Sequence, residues 1–145
     1  MPATGTTASR SASDPGPKPS VAVLGSGSWG TALAVHLART GHRTILWGIE
    51  TAELDAMARD RLNQRYLPGV KLPAGLEIEH DFAGAVGEAA QLLVVVPSHA
   101  FREVLQKAKP LLRPGQRVAW ATKGFELATG KLPHEVADEV LGRDV

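Results

Sequence analysis

The stretch VAVLGSGSWGTALA, residues 21–34, decides the fold. Val21 to Leu24 is a short aliphatic run that reads as a buried strand. It passes at once into Gly25-Ser26-Gly27-Ser28-Trp29-Gly30, a G-x-G-x-x-G string, and a helical pattern opens near Ser28. Such a string alone is a weak signal; between a strand and a helix it is a strong one. Gly25 permits the tight turn, Gly27 lets the backbone approach a pyrophosphate, and Gly30 lets the helix sit close to the sheet. The first-turn N–H groups and the helix dipole then face an anion. The Ser28 hydroxyl is available to cap the helix or to donate to phosphate. A strand–turn–helix corner needs only one glycine, so three at this spacing point to nucleotide binding. No Gly-Lys-Ser/Thr follows, which excludes a Walker phosphate loop.

Outward from this loop, short β-rich runs alternate with longer helical stretches. The runs are Val21–Leu24, Thr44–Trp47, Leu76–Glu79, Gln91–Val96 and Arg117–Thr122. The first helix, Trp29–Thr40, carries Trp29, Leu33 and Leu37 at i, i+4 spacing and stops at Gly41. Thr51 is the expected N-cap of a polar helix over 52–62, and Asn63–Gly75, with Pro68-Gly69 and Pro73, reads as a loop. Further helices are expected over 81–90, over 98–109 (capped by Ser98, stopped near Pro110) and over 133–141. Strands such as Leu92–Val96, apolar on both faces, imply a parallel sheet covered by helices. The expected fold is α/β, a doubly wound parallel sheet of Rossmann-like type.

Among the first 20 of 145 residues, 16 are Pro, Ala, Thr, Gly or Ser, with no aromatic or branched aliphatic residue. That composition cannot offset the entropy of ordering, so residues 1–20 are expected to be a disordered extension. It lacks the apolar centre of a secretory signal, and Arg10 and Lys18 are too few for a clear transit peptide. Residues 21–145 suffice for one domain and not for two. A net charge of +1, with acids and bases mixed, argues against nucleic acid as partner, and the longest aliphatic run is far short of a membrane span. The chain has no cysteine, which suits a cytoplasmic protein.

In a doubly wound sheet, ligands lie outside the carboxyl ends of the strands. An acid at the end of the second strand bonds the adenosine ribose in NAD enzymes, while a basic or open site accommodates the NADP phosphate. Here Gly48 falls at the usual acidic position, followed by Ile49 and then Glu50. A missing carboxylate permits NADP and a missing Arg or His denies its phosphate a partner, so both cofactors stay open. Glu50 reads equally as a solvated loop acid. Phe101 is either a ring-packing residue or a first-turn core residue, and His99, an acid or base by type but with no orienting carboxylate nearby, reads as structural or solvated. Lys123 ends the last strand as a cation at the ligand edge, able to hold a phosphate, to polarise a carbonyl, or merely to meet solvent. His36, His42, His80 and His134 are scattered singly, so no metal site is expected. No Ser–His–Asp constellation is readable.

With these residues in view, the sequence resembles the amino-terminal domain of bacterial-type NAD(P)-dependent glycerol-3-phosphate dehydrogenases. GSGSWGTALA (25–34), NQRYLPG (63–69), VVVPSHAFREVL (94–105) and WATKGFE (120–126) carry the likeness, in family order and spacing. The resemblance implies hydride transfer between NAD(P)H and dihydroxyacetone phosphate, supplying sn-glycerol 3-phosphate for glycerophospholipid synthesis. It implies that Ser28 and Trp29 contact the dinucleotide, beside Gly25, Gly27 and Gly30. Tyr66, which sequence alone would leave as loop packing, takes the family's aromatic cofactor position. Phe101 is implied to lie beside the nicotinamide, and Lys123 to touch both cofactor and substrate. Many members carry His or Arg where this chain has Ile49 and Glu50, a departure that argues against a strong NADP preference.

Members of that family are more than twice as long, with a helical carboxyl-terminal domain that supplies the catalytic lysine and most substrate-phosphate ligands. The expectation is therefore a truncated chain with no catalytic residue of its own. Its implied partners are that missing domain and, in the full-length form, a second copy. Alone it is expected to bind cofactor weakly and to turn over negligibly. Two other readings compete: the cofactor domain of a 6-phosphogluconate- or ketopantoate-type dehydrogenase, and a non-catalytic dinucleotide-sensing module.

Overall fold

The computed structural model describes residues 16–145. Residues 1–15 of the expected extension, with Arg10, lie outside the described residues. The described end of that stretch is tied to the body: His42 Nδ1 donates to the Pro19 carbonyl at 2.9 Å. The Ser20 carbonyl accepts from the Gln91 amide at 3.0 Å.

The elements run β1 (Val21–Leu24), α1 (Ser28–Arg39), β2 (Thr44–Trp47), α2 (Thr51–Asp60), β3 (Leu62–Asn63), β4 (Leu67–Lys71), β5 (Leu76–Glu79), α3 (Phe82–Glu88), β6 (Gln91–Val94), α4 (Ser98–Ala108), β7 (Arg117–Trp120) and α5 (Pro133–Leu141). Five strands form one parallel sheet in the order β5-β2-β1-β6-β7. This is the expected doubly wound architecture. The register aligns Leu24 with Trp47 and Val94, Trp47 with Glu79, and Val94 with Trp120, so all five carboxyl ends share one edge.

Successive strand residues point to opposite faces. Ala22, Leu24, Ile45, Trp47 and Val94 pack with Phe82 and Phe101 on one side. Val21, Val23 and Leu46 pack with Val35, Leu54 and Met57 on the other. β1 is buried at every position, as a central strand covered on both faces must be.

Two local expectations, the helix caps and the loop over 63–75, are corrected. α1 is a helix as expected; it buries Gly30, Thr31, Ala34 and Val35, packs Leu33 and Leu37 partly buried against the core, and leaves Trp29 55% exposed. Small residues face inward because the helix crosses so close to the glycine loop, and Trp29, about 100° around from Gly30, is turned out. Ser28, Thr51 and Ser98 are first helical residues; the N-caps are Gly27, Glu50 and Pro97, and none bonds through a side chain. Residues 63–75 are not simply a loop, since β3 and β4 pair antiparallel through an irregular register that Pro68-Gly69 conceals from a pattern reading. α4 ends at Ala108, two residues before Pro110, as expected, and the chain passes into a 3-10 turn, Lys109–Leu111. Gly41 does end α1, at φ +90°, with its amide bonded to Ala38 O and that of His42 to Leu37 O.

Candidate functional site

From β1 the chain moves outward through β2 to β5, then returns to β6 on the other side of β1. The crevice between the ends of β1 and β6 is therefore the switch point at which ligands of such sheets bind. The glycine loop lies there. Gly25 has φ +128°, and a Cβ on it would stand 2.0 Å from the Val95 carbonyl oxygen. A Cβ on Gly30 would stand 1.9 Å from the Gly25 oxygen. Packing alone demands these two glycines. Gly27 is different: its φ of −68° suits any residue, and a Cβ there would meet nothing within 4 Å. The fold has no internal use for its missing side chain. Open space at this point, beside first-turn amides that no side chain caps, fits a pyrophosphate. Ser28 and Trp29 are exposed next to it.

The end of β2 explains why the usual acidic position is empty. A Cβ on Gly48 would stand 1.9 Å from Ser26 Oγ, so the glycine loop itself fills that space. Ile49 is 83% exposed, and the carboxylate arrives at Glu50. Glu50 is not a free solvated acid. The Tyr66 hydroxyl donates to its Oε1 at 2.5 Å, and the Arg65 guanidinium bonds Oε2 at 2.5 Å while reaching Glu53 at 3.4 Å. The bond to Glu50 pushes the Tyr66 phenol above its ordinary value, and the Glu50 charge raises Arg65.

Asn63 joins this hairpin to the glycine loop. It is 1% exposed, and its Nδ2 donates to the Ser26 carbonyl at 3.0 Å and to Thr31 Oγ1 at 2.8 Å. Its Oδ1 accepts from the Tyr66 amide at 3.1 Å. The sequence by itself assigns no role to Asn63 or Arg65. Their partners stand at sequence separations no periodicity reports, and only the position of Asn63 in the NQRYLPG segment marked it at all.

Lys123 leaves the end of β7, exposed and without an ion pair among the described residues. Its loop is anchored on both sides. Thr122 Oγ1 donates to the Val96 carbonyl at 2.8 Å. Beyond the turn at Gly124, Glu126 takes a two-pronged ion pair from Arg102 of α4, at 2.7 and 2.9 Å. Arg102 also reaches Glu139 of α5 at 2.8 Å, so one guanidinium joins both helices to the loop.

The hydrogen bonds of Arg102, then of Thr129, hold the Glu126 carboxyl down at about 2, against an ordinary 4.5. A carboxyl depressed on folding stabilises above its unfolded value and loses that contribution as pH falls through the folded one. The urea midpoint is thus expected to fall between about pH 4.5 and pH 2 in the parent. In Glu126→Gln it is expected to start lower at neutral pH and to fall less over that interval. Parallel profiles for the two proteins would remove Glu126 from this role.

Phe101 lies in the first turn of α4, 2% exposed and with its ring set edge-on to Trp120 at 5.9 Å, as a first-turn core residue would be. His99 is exposed, as expected of a solvated histidine. The structure thus brings Gly25 to Gly30, Gly48 to Glu50, Tyr66 and Lys123 to one side of the molecule, with Phe101 buried in the core. A cavity of about 350 Å³ lies at the opposite edge, lined by Val21, Leu37, Gln91 and Val118, away from all of these residues. No helix among the described residues is long and apolar enough to cross a membrane.

Known proteins resemble the chain in sequence and fold. The chain is 56% identical over 125 residues to glycerol-3-phosphate dehydrogenase (NAD(P)+) of Stenotrophomonas maltophilia strain K279a, a match covering 86% of this chain and 37% of that protein. Against the protein of the same name from Shewanella sp. strain MR-4 the identity is 52%, over 84% of this chain and 36% of the relative. The crystal structure of glycerol-3-phosphate dehydrogenase from Coxiella burnetii superposes with a TM-score of 0.82 at 42% identity, covering 87% of this chain and 38% of that one. The chain therefore spans a little over a third of the length of the relatives it matches. Residues 20–145 also match the family model described as the NAD-dependent glycerol-3-phosphate dehydrogenase N-terminus. Glycine loop, anchored hairpin and lysine loop all fall inside that match, and the chain belongs to the NAD-dependent glycerol-3-phosphate dehydrogenase family, of which it represents the amino-terminal part.

Proposed function

We propose that this chain holds NAD(H) or NADP(H) for the interconversion of dihydroxyacetone phosphate and sn-glycerol 3-phosphate, in the cytoplasm. The observation that carries the reading is Gly27, the one glycine of its loop that packing does not require, beside the uncapped amides of α1. When bound, the nicotinamide supplies the hydride donor or acceptor. This chain's own residues bind and orient. Gly27, Ser28 and the α1 amides receive the pyrophosphate, Trp29, Ile49 and Tyr66 flank the adenosine side, and Lys123 offers an ammonium to the substrate. The remaining length of the relatives would supply the other walls of the substrate site and the catalytic groups. Membership of this family sets aside the 6-phosphogluconate and ketopantoate readings.

Titrating the protein with NADH, followed by tryptophan quenching, tests the proposal. Trp29 stands exposed beside the loop, so saturable quenching is expected. Added sn-glycerol 3-phosphate should tighten NAD binding in the parent and not in Lys123→Ala. No saturable response from a protein with native helical circular dichroism would overturn the proposal. A ternary effect unchanged by Lys123→Ala would favour a sensing module, which has no need of a cation at that place.

A further inference from the structure

We infer that Asn63 and Thr31 are positioning residues for the pyrophosphate: by holding the Ser26 carbonyl inward, they aim the Gly27 amide at the anion. The inference rests on the dinucleotide reading above and deepens it at the glycine loop. The Ser26 carbonyl accepts two hydrogen bonds, from Asn63 Nδ2 at 3.0 Å and from Thr31 Oγ1 at 3.1 Å. Both donor residues are buried. In a trans peptide the C=O and the following N–H point in opposite directions. A carbonyl drawn in toward these two side chains therefore turns the Gly27 N–H away from them. Among the described residues that amide donates to no main-chain or side-chain acceptor.

The loop needs such a pin because position 27 is glycine. Turning the peptide over would carry φ of Gly27 from −68° to positive values, which glycine accepts at little cost. The anion would then meet a carbonyl oxygen in place of a donor. The residue that leaves room for the pyrophosphate thus also permits the wrong peptide orientation, and the two buried donors remove that freedom. Donor direction is fixed along the whole chain of bonds. The Tyr66 amide can only donate, so Asn63 must present its oxygen to it, at 3.1 Å, and its NH2 group inward. That group also donates to Thr31 Oγ1 at 2.8 Å, which leaves the Thr31 proton for the Ser26 carbonyl.

The test titrates NADH into the parent, Thr31→Val, Thr31→Ser and Asn63→Ala, with circular dichroism confirming the fold of each. Amide relaxation dispersion on the ligand-free proteins reports whether the Ser26–Gly27 peptide turns over. Thr31→Val keeps the shape of the side chain and loses its hydroxyl, so it carries the test even where Asn63→Ala does not fold. It is expected to bind NADH about ten-fold more weakly, the factor that follows when roughly one molecule in ten holds the competent orientation. It should also show exchange at Gly27 that the parent lacks. Thr31→Ser, which retains the hydroxyl, should restore both. A merely structural threonine would lower the thermal midpoint and leave NADH affinity and the Gly27 amide as they are in the parent. That result, or weaker binding with no exchange at Gly27, would overturn this inference and leave the dinucleotide reading intact. Failure of a folded parent to bind NADH would overturn both.

Discussion

Gly27→Asp is expected to abolish NADH binding while moving the thermal midpoint by no more than about 2 °C. Gly30→Ala, a smaller change three residues away, is expected to cost about 3 kcal/mol or more. The contrast follows from where each new atom would go. At Gly27 a Cβ enters open space from an ordinary backbone conformation, so the folded chain accepts it. A carboxylate there takes the volume and opposes the charge of a pyrophosphate over the α1 amides. At Gly30 the Cβ would lie 1.9 Å from the main-chain oxygen of Gly25, which cannot rotate away as a side chain can. Either α1 lifts from the sheet or the loop deforms, and a domain with roughly 5–15 kcal/mol of total stability has little reserve for that. Thermal melts and NADH titrations on both variants decide it. Gly27→Asp protein that binds as the parent does would remove the loop from phosphate binding. A large loss of stability in Gly27→Asp would make that glycine structural after all.

The same distinction bears on how much could be read before the structure. All five strands of the parallel sheet were legible because each is a short β-rich run bounded by turn or helix signals, and strand–helix alternation with runs apolar on both faces gave their parallel sense. The spacing of Trp29, Leu33 and Leu37 marks α1 as a helix but not which residues touch the sheet, because the close helix–sheet contact is made by the small residues Gly30, Thr31 and Ala34. Glu50 was visible as a late carboxylate, but its state was not. That depends on Arg65 and Tyr66, 15 and 16 residues on, and on a hairpin whose Pro68-Gly69 reads as a break. Arg102 and Glu126 were missed for a related reason. One stands on a helix face and the other in a loop, and only the folded chain brings them to 2.7 Å. Chemistry written in a contiguous motif was readable; chemistry assembled by long-range side-chain pairs was not.

Phe101→Ala is expected to cost about 3–5 kcal/mol, lowering the urea midpoint by roughly 2 M. The family likeness assigns this ring to the nicotinamide, whereas the structure buries it to 2% exposure in the face of the core shared with Leu24, Val94 and Val136, edge-on to Trp120. The two roles give opposite signatures. A ring that serves mainly as a ligand wall costs affinity when truncated and little stability, since water already reaches it in the free protein. A ring sealed inside leaves a cavity when truncated, and the loss appears in the ligand-free protein. Phe101→Leu separates them further: it keeps most of the apolar volume, so it should cost only about 1 kcal/mol, and its NADH affinity should match the parent's. Because Phe101 lies in the first turn of α4 and lines one small pocket with Thr122 and Glu126, which flank Lys123, its packing acts on the site by supporting that loop. A Phe101→Ala protein as stable as the parent yet unable to bind NADH would return the ring to the ligand face.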